Sequence, residues 1–256
     1  MTISAVRIGL IFPELLGTYG DRGNAVVLQR RLQQHSISCE LVEIASGTPL
    51  PGDLDIYLLG GGEDHTALLA AEQLRGSALI PAWQRGASIV AVCAGFQLLG
   101  ETIELGTRET FVGLGAIAAA TTVGLTRTVG DVVLDTTLAG VDPIVGFENH
   151  RSITVTSDAS PLGVARSSGV ADGYVRDRLL ATYLHGPLLV RNPTLVDHVL
   201  EWTTGPLPPL PPDPHATELH RHLVQRFGHA TPPKVRRTFS QRERHARQRN
   251  RDKGLQ

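Results

Sequence analysis

Two side chains able to carry out acyl transfer sit at places in this sequence where chain geometry would favour it: the thiol of Cys93 and the imidazole of His185. Cys93 ends the apolar run SIVAV and is followed at once by the helical pattern AGFQLLGETI, with Ala91 and Gly95 two residues to either side. This is the spacing of a nucleophile elbow, in which small neighbours let a strand turn sharply into a helix and hold the reactive atom above the sheet. A thiol at a helix N-terminus also sits near the positive end of the helix dipole, which favours thiolate over thiol. Free cysteine is commonly a small buried hydrophobe as well, and on position alone that reading stands beside the reactive one. Cys39 lacks such a setting and is read as structural.

A thiol nucleophile needs a base within hydrogen-bond reach. Of the ten histidines, His185 lies directly after the strand-like LLATYL and before Gly-Pro. Loops at the C-terminal ends of strands are where open α/β sheets place their chemistry; a histidine that merely caps the strand end is the alternative. A third feature is LLGGGED (58–64), whose successive glycines lie about thirty residues before the cysteine. Backbone N–H groups of Gly61 and Gly62, with that of Ala94, would converge on a developing negative charge as an oxyanion hole, although most glycine loops are only turns.

The elements that must position these residues follow from periodicity. AVRIGLIFP (5–13), a polar turn GTYGDRGN and the helical AVVLQRRLQQH read as strand, loop, helix. The pattern repeats through SCELVEI, DIYLLG, helix-like ALLAAEQL and ALIPAWQRG, and SIVAVC. Continuous apolar strands alternating with helices imply an α/β three-layer fold around a mostly parallel sheet. From Thr110 to about Ser168 short β-rich pieces separated by turns predict extra antiparallel strands at one side of that sheet. PTLVDHVLEWTTG is a closing helix with glycine just beyond it, so the core domain spans 1–204. Residues 205–256 then comprise a proline-rich linker, GPLPPLPPDP, a short helix HATELHRHLVQRFG read as polar and solvated, and a basic tail. In 231–256 nine Lys/Arg face two acids, the composition of a solvated, mobile segment, with a contact to nucleic acid or an acidic partner as the alternative.

A chain of this length that is 41% hydrophobic buries one substantial core. The net charge of -1 gives no electrostatic reason to expect nucleic acid as a partner. Two cysteines argue against a disulfide scaffold and for a reducing cytoplasm. No signal peptide and no transmembrane segment are expected, because no run approaches the ~20 apolar residues a span requires. No metal site is expected: His215, His220, His222 and His229 lack the ligand company and spacing of a structural zinc site. No G-x-x-x-x-G-K-[ST] phosphate cradle occurs either.

The string Val92-Cys93-Ala94-Gly95-Phe96-Gln97 resembles the nucleophile motif of class I glutamine amidotransferases, Tyr183-Leu184-His185-Gly186 resembles their base motif, and the glycine loop resembles their oxyanion strand. GTYGDRGN (17–24) and GFENHR (146–151) narrow the resemblance to the cobyric acid synthase type, and within it to the GatD group of glutaminase subunits of lipid II isoglutaminyl synthases. The resemblance covers most of 1–204. It implies glutamine hydrolysis through a Cys93 thioester with His185 as base. It also implies Gln97 and Asn149 as substrate contacts and Arg127, in GLTRTVGD, as the partner of the glutamine α-carboxylate. A planar guanidinium suits a carboxylate; a surface cation is the alternative for Arg127, and a loop contact for His150. The implied partner is a MurT-like Mur ligase-family synthetase subunit that brings ATP and metal, with no cofactor in this chain. The implied location is the cytoplasm, at the inner membrane face where a lipid-linked substrate would be met. One departure matters: many class I members follow the base with an acid in H-x-E, whereas Pro187 stands there, so a third group must come from elsewhere in this chain or from the partner. Two other readings stay open, a γ-glutamyl hydrolase or peptidase on the same sheet and a non-catalytic binding subunit.

Overall fold

The computed structural model describes residues 5–107, 109–158 and 160–228, and the backbone of 236–237. Apart from those two positions the basic tail, together with His229, lies outside the described residues. The N-terminal half alternates as expected: β1 (Val6–Ile11), α1 (Arg22–Gln34), β2 (Cys39–Ile44), β3 (Ile56–Leu59), α2 (Asp64–Leu74), α3 (Leu79–Gln84), β4 (Ser88–Val92) and α4 (Ala94–Leu99). The remainder contributes β5 (Thr102–Glu104), β6 (Thr110–Val112), β7 (Ala119–Thr136), β8 (Ile144–Thr156), β9 (Gly163–Ala165), β10 (Ala171–Asp172), β11 (Tyr174–Arg176) and β12 (Leu179–Thr182). Helices α5 (Leu188–Arg191), α6 (Pro193–Thr204) and α7 (Pro214–Phe227) follow, and β13 (Arg236–Arg237) pairs with β7.

The main sheet runs β11-β12-β4-β3-β1-β2 and is parallel except at β11. Its central strands are buried on both faces, and alternate residues feed two cores. Ile8, Leu10, Ile56, Leu58 and Val90 pack under α1, α5 and α6. Tyr57, Leu59, Ile89 and Ala91 pack under α2, α3 and α4. This period-two division is the reason the strands read as unbroken apolar runs.

The extra strands differ from expectation. Only β11 extends the main sheet; the others build a second, seven-stranded sheet around the long ribbon of β7 and β8. That ribbon slips register between Val123 and Thr128, which bends it, as bulges do. On one side of the slip Ala120 and Thr121 pair with β5, and on the other Leu134, Asp135 and Thr136 pair with β9. A backbone bridge between Phe147 and His185 ties the two sheets together, with N–H···O distances of 2.8 and 2.9 Å.

Helix α7 also departs from the sequence reading. Its N-terminus is capped by Asp213, which accepts from the N–H groups of His215 and Ala216. His220 is turned inward and buried, with Nδ1 2.8 Å from the Arg191 carbonyl oxygen. The helix is therefore docked against the body rather than solvated all round. Periodicity concealed this because a histidine counts as polar even where its ring serves as packing surface. Among the described residues no helix is long and apolar enough to cross a membrane, and no group of three or more His, Cys, Asp or Glu is placed to hold a metal ion.

Gly95 is where the fold meets the site. A Cβ there would lie 2.7 Å from the Leu59 carbonyl oxygen and 2.8 Å from Leu59 Cβ, so α4 rests on β3 only because residue 95 has no side chain. We expect Gly95→Ala to force the helix off the strand at a cost of about 1–3 kcal/mol, the usual range for overpacking, seen as a lower melting temperature; an unchanged melt would contradict this contact.

Candidate active site

The β4–α4 junction is strained in the way an elbow requires. Cys93 has φ 51° and ψ -104°, a conformation that costs a non-glycine residue about 1–3 kcal/mol and persists only where neighbours hold it. Three backbone hydrogen bonds do so: Cys93 N–H to Thr182 O at 2.8 Å, Gln97 N–H to Cys93 O at 3.0 Å, and Gly95 N–H to Gly60 O at 3.1 Å. The sulfur is thereby held at the floor of a cleft of ≈ 320 Å³ whose lining also includes His185, Arg127, Gln97, Asn149 and Gly62.

His185 follows β12 and is fixed through its backbone by the bridge to Phe147. Its ring is packed beneath Tyr19, with centroids 4.6 Å apart, and against Gly61, where a Cβ would come within 2.5 Å of Cε1. Neither ring nitrogen has a hydrogen-bond partner. The triad acid missing from the sequence after His185 is thus not supplied by a carboxylate of the described residues. Burial, with a smaller push from His150, lowers the imidazole to about 4, so it stands neutral at physiological pH.

Against the expectation of a thiolate favoured by the helix dipole, the surroundings of Cys93 act on balance the other way. Burial pushes the Cys93 thiol up to about 12; the Ala94 N–H pulls it down, the carboxylates of Asp21 and Glu63 raise it further, and Arg127 opposes them. Helix α4 has only six residues, and desolvation of the charged form outweighs what its terminus offers. The thiol and the imidazole, which line the same cleft, are both shifted towards their neutral forms.

The glycine loop is used differently at each position. Gly60 offers its carbonyl to Gly95. Gly61 gives its N–H to the Asp21 carboxylate at 2.7 Å and accepts from Thr18 N–H at 3.1 Å. The Gly61 N–H expected in the oxyanion hole is therefore already taken. Gly62 lines the cleft, and the Ala94 N–H hydrogen-bonds the Cys93 sulfur.

The three expected substrate contacts meet in the same cleft. Arg127 Nε donates to Asn149 Oδ1 at 2.6 Å, and Asn149 Nδ2 donates to the Tyr19 hydroxyl. Gln97 Nε2 donates to Ser152 Oγ at 2.8 Å. His150 stacks on Tyr183 at 4.0 Å with Nδ1 2.9 Å from the Ser152 carbonyl, as part of the cleft wall.

Sequence reasoning treated GTYGDRGN as a family mark without assigning it a task. In the structure it is the hub of the site. Tyr19 covers His185, Asp21 binds Gly61, Asn24 Oδ1 accepts the Leu189 N–H at 2.8 Å, and a Cβ on Gly23 would meet Pro187 Cγ at 2.6 Å. The available signal was the density of short polar residues and glycines in a turn much richer than a helix start needs.

Residues 7–193 match the model of the CobB/CobQ-like glutamine amidotransferase domain. The chain is 34% identical over 195 residues, 73% of its own length and 79% of the relative's, to the lipid II isoglutaminyl synthase (glutamine-hydrolyzing) subunit GatD of Staphylococcus aureus. It is 29% identical to the Streptococcus pneumoniae subunit of the same name, covering 74% of this chain and 77% of that one. A solved glutamine amidotransferase superposes with a TM-score of 0.51 at 20% identity, covering 77% of this chain and 98% of that one, which speaks to the fold alone.

Proposed function

Because the chain belongs to the CobB/CobQ-like glutamine amidotransferase family, we propose that it is the glutaminase subunit of a lipid II isoglutaminyl synthase. The observation that carries the reading is the strained Cys93 opening onto one cleft shared with His185 and Arg127.

The chemistry follows from the neutral resting pair. Glutamine enters with its α-carboxylate on Arg127 and its side-chain amide over Cys93, flanked by Gln97 and Asn149. His185 takes the thiol proton as the sulfur attacks the amide carbon, so charge separates only when substrate is in place. The Gly62 and Ala94 N–H groups receive the tetrahedral oxyanion. His185 returns the proton to the departing nitrogen, ammonia leaves, and a γ-glutamyl thioester remains on Cys93. Water, activated by the same imidazole, then releases glutamate and restores the thiol.

Two relatives named as lipid II isoglutaminyl synthase subunits support the destination of the ammonia. A MurT-like Mur ligase-family partner would activate the α-carboxylate of the stem D-glutamate with ATP, and ammonia would displace the leaving group. An imidazolium with no acid beside it is costly in a buried site. A carboxylate brought to His185 by the partner would lower that cost and couple glutaminase turnover to complex formation. The test is glutamate release from glutamine by the chain alone and with the synthetase subunit. Release that rises on complex formation supports the reading; preferential cleavage of γ-glutamyl peptides would favour a hydrolase instead.

Arg127 gives a separable prediction. Arg127→Ala removes a charge-assisted contact worth about 1.5–3 kcal/mol, so KM for glutamine should rise roughly tenfold to a hundredfold with a smaller change in kcat. A steady-state titration with KM unchanged would remove Arg127 from the substrate site.

A further inference from the structure

Asp21 stands at the N-cap of α1 but caps nothing. Its side chain makes no hydrogen bond to the first turn, where an aspartate ordinarily contributes about 1 kcal/mol. Oδ2 instead reaches the Gly61 N–H, forty residues along the chain, at 2.7 Å. The residue is only 2% exposed, and Oδ1 is buried with no partner. An unpaired buried carboxylate oxygen is destabilising, so local stability does not account for an acid here.

Its surroundings do. A Cβ on Gly60 would come within 2.8 Å of Oδ2, and one on Gly61 would lie 3.5 Å from Oδ2 and 2.5 Å from His185 Cε1. Carboxyl group and imidazole thus pack on the same glycine. Burial pushes the carboxyl up to about 7 against the pull of the Gly61 N–H, and its negative charge is one of those that raise the Cys93 thiol.

We propose that Asp21 is a positioning residue of the glutaminase reaction: its carboxyl group fixes the Gly61 peptide, and with it the Gly62 N–H assigned to the oxyanion and the His185 ring packed on Gly61. The inference rests on the assignment of Cys93 and His185 as the glutaminase pair. After burial, the larger cause, the Asp21 charge also adds to what raises the Cys93 thiol.

The test uses the full chain with its synthetase subunit, with thermal melting of each variant alongside. Asp21→Ala should lower kcat about tenfold or more, less than the loss of an oxyanion donor itself, while KM stays within about twofold. Asp21→Asn keeps an oxygen that can accept from Gly61 N–H and should recover most of that loss. In the chain without its partner, peptide-resolved alkylation of Cys93 by iodoacetamide at mildly alkaline pH should run several-fold faster in Asp21→Asn than in the unaltered chain. Folded Asp21→Ala with kcat within twofold of the parent, or Asp21→Asn no better than Asp21→Ala, would overturn the positioning role. Should Asp21→Ala fail to fold, a folded Asp21→Asn whose kcat falls more than tenfold below the parent overturns the positioning role. An inactive parent complex, or an active Cys93→Ala, would instead overturn the glutaminase assignment, which the alkylation rates do not depend on.

Discussion

Cys93→Ala is expected to lower glutamate release from glutamine by about 10⁴-fold or more, leaving the melting temperature close to the parent. The magnitude follows from the neutrality of the resting pair. On the proposed mechanism the sulfur is the attacking atom, and a site stripped of its nucleophile retains only what binding and oxyanion donors supply. The fold should be indifferent, because the elbow is held by backbone bonds from Thr182, Gly60 and Gln97 that the substitution leaves in place. Alanine also relieves the burial of a thiol but not the positive φ. Coupled-enzyme detection of glutamate, with circular dichroism as control, measures both. A variant that keeps a tenth of the parent rate would show that chemistry runs elsewhere.

His185→Asn should be nearly as damaging, about 10³-fold or more in kcat, because one imidazole both takes the thiol proton and delivers it to ammonia. It also carries the clearest pH signal. The folded imidazole is lowered from 6.5 to about 4, so below pH ~6.5 the unfolded chain binds a proton that the folded chain refuses. Stability is therefore lost as pH falls from about 6.5 towards 4, by about 3 kcal/mol at most for this one group. Melting curves across that window should fall more steeply for the parent than for His185→Asn. Parallel curves would mean the ring is solvated in the free chain.

Much of this was legible because it is written in local pattern. The unbroken apolar runs at β1, β3, β4 and β12 announce a parallel sheet covered on both faces, and small residues on either side of Cys93 announce the elbow. What escaped was set by distance in space. The fate of the Gly61 N–H depends on Asp21, forty residues away in sequence, and three identical glycines give no hint of which one faces the substrate. The dipole argument for Cys93 is sound in sign and too small in size, since a six-residue helix works against desolvation of the thiolate. The stretch 110–168 reads as β, but that its strands form a second sheet rather than extend the first depends on pairings of β7 with β5, β8 and β9, which periodicity does not encode.

The coupling implied by an unpartnered His185 also has an economic sense for the cell, since ammonia made without an activated acceptor is lost by diffusion. On the proposed function, a partner that places one carboxylate near His185 would stabilise the imidazolium.

The central claim is that Cys93 is the nucleophile towards the amide carbon of glutamine. It is tested most directly by incubating the complex with a diazoketone analogue of glutamine, which alkylates the attacking atom, and locating the adduct by peptide mass spectrometry. The account predicts one adduct, on Cys93, that forms in step with loss of glutaminase activity, is blocked by excess glutamine and is slowed in Arg127→Ala. Loss of activity with Cys93 unmodified, or an adduct on Cys39 in its place, would contradict it.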